Sequence, residues 1–531
     1  MLTNTHHKEH NSLITGILGG TLSLTVSTVM VKLLGLIYKI PLASILGDEG
    51  MGYFNSAYTV YSFFYLLCTA GVPKAIMLLI SEEDGKGREE SQYKIMTVAA
   101  VSFGALGVMI TLAFALLSGS LSHLIGSSAA RFGMIAIAPS IIFVSLSGVI
   151  RGYLSAHMRM LDVAVSQVIE GAGRLALGLA FAIVGRRINM PLHMVSAMTI
   201  WGVSLSSLIG LGYLIVCSKI RIKSDKIGQN CNFREFWSIL RRILSISIPI
   251  TLSAAVMSIS GLIDLGLIMR SLRQIGHTEA EASSLYGNYT TLAVPMLNLA
   301  ISVITPISVA HLPAISRAIS SGERGDLISS ERSAVGLCAF AAAPMSLGLT
   351  VFSHEILQLL FPGSDTRMGG ALLCLLCPAI LFSSILVIVN TLLEAMGKVR
   401  MPLYSMLVGS AVKLAVSYIL ITGTSFGISG APIGTTASYA TALIISLIAY
   451  GRSSEKSLPL LRPLALCYFS AAVSIGLARL LYDRLYFSVD HKPLLLISIT
   501  FAAVLYIILC LAAGKLRVKN APKVAKYTKF T

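Results

Sequence analysis

Four basic residues stand in the middle of long apolar segments: Lys32, Lys74, Arg174 and Lys413. An ionised side chain at the centre of a bilayer costs about 3 kcal/mol on insertion scales, so such residues usually face water or a partner. Ammonium and guanidinium groups donate charge-assisted hydrogen bonds to anionic oxygens, which a diphosphate or an acidic sugar needs once it is dehydrated. The sequence therefore predicts a cationic surface within the membrane that binds an anionic substrate.

Acidic residues are scarcer at comparable depth, where only Glu170 and Asp264 occur. Glu170 and Arg174 are four residues apart on one helix face, so they either neutralise each other or both line the site. Asp264 is expected to hold a coupling cation such as Na⁺ or a proton, or to pair with Arg270. No metal ion or cofactor is expected, and Na⁺, H⁺ or the membrane potential remain alternatives as the driving force. An excess of cations disfavours an organic cation as the substrate.

The apolar segments define the class of protein. The chain has 531 residues, of which 55% are hydrophobic and 12% charged, whereas soluble domains carry about a quarter charged residues. The segments recur along the whole chain, each near the roughly 20 residues that cross a bilayer. We predict an all-α polytopic membrane protein with about fourteen helices, at 14–38, 53–80, 93–118, 132–150, 163–185, 193–217, 243–268, 286–311, 333–353, 369–394, 402–422, 431–450, 463–482 and 493–514.

Basic residues indicate the orientation of these helices. With a cytoplasmic N-terminus, Lys and Arg favour the inside segments nearly threefold. We therefore expect a multi-pass protein of the cell membrane with both termini cytoplasmic. Six basic residues in the C-terminal tail are expected to bind anionic phospholipid headgroups; they are Lys515, Arg517, Lys519, Lys523, Lys526 and Lys529. This tail and the inside loops account for the net charge of +17 without nucleic acid.

The chain resembles itself at an offset of 239 residues, which places Arg174 over Lys413 and Arg159 over Lys398. The matching segments are predicted helices 4–5 and 10–11, six helices apart and therefore parallel across the membrane. Transporters built this way bind the substrate between their halves. We predict an N-terminal lobe over 1–230, a C-terminal lobe over 231–455, and an addition over 456–531 containing helices 13 and 14 and the basic tail.

Three of the cations lack a simple structural explanation in the sequence. The position that matches Glu170 in the second copy is Gly409, so Lys413 has no such carboxylate on its own helix. Lys32 lies far from either interface for snorkelling. Lys74 follows Pro73, and irregular backbone at membrane depth is tolerated only beside protein or water. We interpret all three as lining a cavity.

Several segments together resemble one known family. They are Lys32–Pro41, Ile45–Gly52, Thr69–Pro73, Arg151–Tyr153, Ser166–Glu170 with Arg174, Ile263–Asp264, and Gly397–Lys398 with Lys413. In order and spacing they are similar to the stage V sporulation protein B-like branch of the multidrug/oligosaccharidyl-lipid/polysaccharide (MOP) exporter superfamily, which also contains the lipid II flippases. The resemblance runs from about residue 12 to residue 510.

This resemblance implies two lobes around a central cavity and alternating access. The expected function is flipping of an undecaprenyl-diphosphate-linked cell-wall precursor, similar to lipid II, from the inner to the outer leaflet, with sporulation as one setting and a monomer as the working form. In lipid II flippases basic residues of helix 1 bind the diphosphate, and Lys32 matches one such position. Helices 13 and 14 there form a groove for the lipid tail.

Two departures and two alternatives accompany the resemblance. The helix 8 region, Tyr286–Tyr289, lacks the basic residue of the better-studied flippases, and helix 11 offers Lys413 instead of an acid, so a sodium site with Asp264 would be incomplete. A flippase for another lipid-linked polysaccharide unit uses the same physics. A cation-coupled multidrug exporter of the same fold is the other alternative. No paired carboxylates or His–Asp arrangement indicates an enzyme.

Overall fold

The computed structural model describes residues 2–219, 232–321, 324–398, 400–453, 461–486 and 491–512. Over these residues the secondary structure is almost wholly helical. The helices of the first half are α1 (Leu2–Thr69), α2 (Val72–Gly85), α3 (Glu89–Ile125), α4 (Ala130–Ala156), α5 (Met160–Arg187), α6 (Leu192–Lys219), α7 (Phe233–Gln274) and α8 (Glu279–Asn288). A π-helical turn, Tyr289–Ala293, follows α8.

The remaining helices are α9 (Val294–Ser321), α10 (Arg324–Val351), α11 (Ser353–Leu360), α12 (Thr366–Leu376), α13 (Pro378–Ala395), α14 (Arg400–Gly423), α15 (Gly430–Gly451), α16 (Leu461–Leu485) and α17 (His491–Ala512). The chain divides into two compact units, residues 1–291 and 292–531. The finer division into lobes ending at residues 230 and 455 stays a prediction.

Twelve helical stretches among the described residues are long and apolar enough to cross a membrane. The first of them, Leu33–Gly85, covers the end of the first predicted span and the whole of the second. The seventh predicted span lies inside α7, outside those twelve. The other eleven stretches each correspond to one predicted span. The all-helical polytopic class is therefore confirmed, with a count close to the fourteen expected.

The second predicted helix, 53–80, is wrong as a continuous element. It is interrupted at Ala70 and Gly71, and α2 begins at Val72 with Pro73 in its first turn. Proline has no amide hydrogen and suits the first turn of a helix, which is the reason for a break here. Gly71 packs so closely on the backbone of Ser247 in α7 that a β-carbon would overlap it.

The first predicted helix also extends further than expected. It continues to Thr69 as part of α1, with a non-helical backbone only at Gly47, whose φ is +66° and ψ is 179°. This conformation is open to glycine because it has no β-carbon. The kink at Gly47 divides α1 into an N-terminal part that carries Lys32 and Lys39 and a C-terminal part that carries Tyr58.

Helix α4 is the central element of the first unit, since it packs against α1, α2, α3 and α6. Small residues let the helices approach closely, as in other membrane bundles. A β-carbon at Gly202 of α6 would lie 2.5 Å from the amide nitrogen of Gly178 in α5. This close crossing places the faces of α5 and α6 side by side.

The second unit contains a core formed by α10, α16 and α17. Buried side chains from all three helices meet there, among them Ala339, Ala343, Ala471, Ile475, Leu495 and Tyr506. The hydroxyl of Tyr506 donates to the main-chain oxygen of Phe340 at 2.9 Å. Within the second unit, the two final helices, α16 and α17, thus pack against α10.

The internal repeat is visible in the backbone of both units. Helices α4 and α13 end at Ala156 and Ala395, 239 residues apart, and each is followed by a residue with left-handed backbone: Met158 at φ 57° and Gly397 at φ 77°. The amide of the next residue closes each turn, at 2.9 Å for Arg159 and 2.8 Å for Lys398. The same hydrogen-bonding pattern recurs at the offset of 239 residues, as the predicted duplication requires.

Candidate functional site

A buried carboxylate, Glu170 of α5, lies between two guanidinium groups within the first unit. Its Oε2 accepts a hydrogen bond from Arg151 Nη2 of α4 at 3.0 Å, and its Oε1 accepts one from Arg174 Nη2 at 3.2 Å. We name these three residues the Arg–Glu–Arg cluster. Each carboxylate oxygen is therefore bound by a separate cation.

Serine hydroxyls add hydrogen bonds to the cluster. Ser207 of α6 donates to Glu170 Oε1 at 3.2 Å, and Arg151 Nε donates to the hydroxyl of Ser166 at 3.2 Å. Ser166 stands one helical turn before Glu170 on the same face of α5. The cluster thereby joins α4, α5 and α6 through polar contacts.

Arg174 is the more exposed cation of the cluster. Its side chain is 23% exposed, compared with 10% for Arg151. Its Nη1 donates to the hydroxyl of Tyr58 in α1 at 3.0 Å, and its guanidinium carbon lies 5.9 Å from the centroid of the Tyr58 ring. That distance is within the range of a cation–π interaction. The Nε atom of Arg174 is buried and has no hydrogen-bond partner among the described residues.

The cluster carries one net positive charge, because two guanidinium groups face one carboxylate. The ion pair considered for Glu170 and Arg174 is present, yet the carboxylate is shared with a second cation. A one-to-one pair would be neutral. A group of this composition is suited to attract an anion to its more accessible cation, Arg174.

The second unit has a related but largely uncharged cluster at the same offset. Asn390, Ser405 and Ser446 stand 239 residues after Arg151, Ser166 and Ser207. The hydroxyl of Ser446 lies 3.1 Å from Asn390 Oδ1 and 3.0 Å from Ser405 Oγ. The polar junction among three helices is therefore retained in both units, although the ion pair is present in the first alone.

Lys413 of α14 occupies the position of Arg174 in this second cluster, where its side chain is half-buried. Gly409 replaces the carboxylate of Glu170 and lies close to Ser438 Oγ of α15, at 3.2 Å from an added β-carbon. The close crossing of α14 and α15 leaves little space for a larger side chain at residue 409.

Lys74 and Lys32 are placed differently from Arg174. Lys74 is exposed in the first turn of α2, and no described carboxylate lies within ion-pairing distance of its ammonium group. Lys32 belongs to α1, but its side chain lies outside the described part of the structure. A role of either residue in binding stays a prediction.

Asp264 is buried in the C-terminal half of α7, 9% exposed, while Arg270 of the same helix is exposed. Whether Asp264 holds a coupling ion stays a prediction. The described residues contain no group of three or more His, Cys, Asp or Glu side chains arranged to hold a metal ion.

A second polar contact region surrounds the π-helical turn, in the helix 8 region that lacks a basic residue of its own. Lys39 Nζ of α1 donates to the main-chain oxygen of Thr290 at 3.5 Å. Asn55 Nδ2 donates to Thr290 Oγ1 at 3.0 Å and to Thr291 Oγ1 at 2.8 Å. Lys39 thus brings a cation from α1 to this turn, and π-helical turns often mark functional regions.

Sequence reasoning missed Arg151, Tyr58, Ser166 and Ser207 as members of a site. Arg151 was expected in a cytoplasmic loop after a helix ending at residue 150, whereas α4 continues to Ala156 and buries it. A usable signal was present, since both serines recur at the offset of 239 residues. No sequence signal marks the Tyr58 contact, which depends on the packing of α1 against α5.

Two family models match the chain. The model described as polysaccharide biosynthesis protein matches residues 17–319, and the MatE model matches residues 289–419. Stage V sporulation protein B of Bacillus subtilis (strain 168) is 24% identical over 452 residues, covering 83% of this chain and 84% of that protein.

Solved structures share the fold at low sequence identity. A lipid II flippase MurJ in an inward closed conformation superposes with a TM-score of 0.72 and 14% identity, over 93% of this chain and 99% of that one. An inward-facing multidrug resistance MATE family transporter of the MOP superfamily superposes with a TM-score of 0.64 and 17% identity, over 80% and 95% of the two chains. The chain is a multi-pass membrane protein with the fold of MOP transporters, and it belongs to the polysaccharide biosynthesis protein family.

Proposed function

We propose that this protein flips a lipid-linked saccharide precursor with an undecaprenyl diphosphate, similar to lipid II, from the inner to the outer leaflet by alternating access. The observation that carries the proposal is the net positive Arg–Glu–Arg cluster, in which the partly exposed guanidinium group of Arg174 belongs to a helix long and apolar enough to span the membrane. A diphosphate provides anionic oxygens for such a donor. The family membership supports a lipid-linked saccharide over other anions.

The four predicted cations Lys32, Lys74, Arg174 and Lys413 are the proposed substrate contacts. Arg174 has the strongest structural support. Its two terminal guanidinium nitrogens donate to Tyr58 and Glu170, and N–H donors of the same group are left over. A coupling ion at Asp264, Na⁺ or H⁺, and the membrane potential are alternative driving forces. The protein acts as a monomer in the cell membrane with both termini in the cytoplasm.

The biological setting that we propose is cell-wall synthesis during sporulation. The similarity to stage V sporulation protein B supports this setting. The basic C-terminal tail, Lys515–Lys529, lies outside the described residues, and we propose that it binds anionic phospholipids of the inner leaflet.

The experiment is to deplete the protein in cells that lack redundant flippases and to label lipid II from outside with an impermeant probe. We expect depletion to leave lipid II protected from the probe and the wild-type gene to restore its labelling. The matched comparison is complementation by Arg174→Gln and by Arg88→Gln; Arg88 is a 66% exposed cation outside the membrane-spanning helices. We expect Arg88→Gln to complement and Arg174→Gln to fail at equal protein levels. Full exposure of lipid II after depletion would reject the proposal for this substrate.

A multidrug exporter is the second candidate, favoured by the MatE match over residues 289–419 and by the shared fold. Buried Asp264 would then bind the coupling cation or a cationic drug. Deletion of the gene would sensitise cells to cationic drugs, and Asp264→Asn would fail to restore resistance. Unchanged drug sensitivity together with protected lipid II favours the flippase.

A further inference from the structure

The Arg–Glu–Arg cluster contains more charged groups than a single anion contact requires. We propose that Arg151 and Glu170 are positioning residues that set the net charge and the orientation of Arg174, so that the cluster offers one positive charge to an anionic lipid-linked substrate. The inference rests on the proposed function and adds to it the residues that determine how strongly Arg174 attracts the diphosphate.

The first step concerns charge. Arg174 and Glu170 alone would form a neutral pair, four residues apart on α5. Arg151 comes from α4 and binds the opposite carboxylate oxygen at 3.0 Å, with its side chain only 10% exposed. Since Arg151 balances the charge of Glu170, the unbalanced positive charge belongs to the cluster as a whole, and Arg174 is the member with the larger accessible fraction.

The second step concerns orientation. Glu170 and Tyr58 hold the two terminal nitrogens of Arg174 from two different helices, α5 and α1. A guanidinium group has five N–H donors in a rigid fork, so two fixed hydrogen bonds determine where the others point. The Nε donor of Arg174 remains buried without a described partner. A buried donor without a partner is unfavourable.

The third step comes from the internal repeat. At the matching positions of the second unit Arg151 becomes Asn390, Glu170 becomes Gly409 and Arg174 becomes Lys413. One cation and the anion are lost together, so the formal charge of the three positions is one positive charge in both units.

The second unit also shows that the ion pair is not required to pack these helices. Its hydroxyl and amide groups alone, Ser446 with Asn390 and Ser405, form the corresponding junction of α13, α14 and α15. The joint loss of one cation and the anion keeps the formal charge of one, as expected if Arg151 and Glu170 together set the charge at Arg174.

The test uses the full-length protein purified in detergent and a fluorescent undecaprenyl diphosphate as the probe. Arg151→Gln makes the cluster neutral, and the double variant Arg151→Gln/Glu170→Gln restores one net positive charge with side chains of similar size. We expect Arg151→Gln to weaken binding of the probe by about tenfold, equivalent to about 1.4 kcal/mol, and the double variant to recover most of the loss. Adding Arg174→Gln to the double variant should weaken binding again, while Arg174→Lys in the same background should retain it.

Thermal unfolding of every variant separates this role from a structural one, and binding is measured at a temperature where all variants are folded. Equal binding by wild type and Arg151→Gln rejects the inference alone. Loss of thermal stability in Arg151→Gln with unchanged binding identifies a purely structural pair and also rejects it. No binding by the wild-type protein rejects the proposed function, and the inference falls with it.

Discussion

Gly52 of α1 and Gly287 of α8 lie so close together that neither position has room for a β-carbon. A β-carbon at Gly52 would overlap the main-chain oxygen of Ser283, and one at Gly287 would lie 2.5 Å from the amide nitrogen of Gly52. This crossing holds the C-terminal part of α1, with Tyr58, against the helix that leads to the π-helical turn.

Gly52→Ala is therefore expected to destabilise the protein by about 3 kcal/mol, since backbone atoms cannot move aside as a flexible side chain can. Thermal unfolding in detergent measures the effect. Gly212→Ala is the matched control, because nothing lies within 4 Å of a β-carbon at that position of α6. Equal stability of the two variants would contradict the close crossing.

Met158→Gly is expected to stabilise the protein by about 1 kcal/mol. Met158 has φ 57°, a left-handed conformation that strains a residue with a β-carbon, and the matching position in the second unit is Gly397. The reciprocal change, Gly397→Met, should destabilise by a similar amount. Denaturation midpoints of both variants check this; a stability change of the same sign in both would show that the two turns are not equivalent.

A buried carboxylate in the second unit provides a third prediction. Glu331 of α10 is 4% exposed, and its Oε1 accepts a hydrogen bond from the hydroxyl of Tyr450 in α15 at 2.6 Å. Among the described residues this hydroxyl is its hydrogen-bond donor. Tyr450→Phe should destabilise the protein by about 2 kcal/mol, because it leaves a buried carboxylate without that donor.

Glu331→Gln in the Tyr450→Phe background should recover part of this loss, since an amide is less costly to bury than a carboxylate. A double-mutant cycle of unfolding free energies measures the coupling between the two side chains. Additive effects would show that the hydrogen bond contributes nothing to stability.

Lys74 and Lys413 provide the fourth prediction. Lys74→Ala and Lys413→Ala are each expected to lower the rate of lipid II flipping in proteoliposomes by about tenfold, because each removes a charge-assisted donor worth about 1.5 kcal/mol or more. Replacement by Arg keeps the charge and should retain most of the activity.

Lys398→Ala is the control for both. Lys398 is exposed in the turn before α14, and its ammonium group donates to the hydroxyl of Ser453, just after α15. Normal flipping by both alanine variants would remove Lys74 and Lys413 from the proposed site. Arg174 would then be the one cation of the site with structural support among the described side chains.

Particular residues show how far prediction from the sequence reached for the site. The pairing of Glu170 with Arg174 follows from a spacing of four on one helix, which any α-helix imposes. Arg151 could not be placed in the same way. Its contact depends on where α4 ends and on how α4 crosses α5, and helix ends are uncertain by a few residues in any pattern-based assignment.

The sequence alone determined the membrane class, the positions of most apolar helices and the offset of 239 residues between similar segments, because these depend on length, hydropathy and local order along the chain. Tertiary structure alone decided that Glu170 is shared by two arginines and that Tyr58 holds Arg174. These contacts join side chains of three different helices, α1, α4 and α5, and they follow from close helix packing that no periodicity records. The net charge of the cluster is therefore a property of the folded chain.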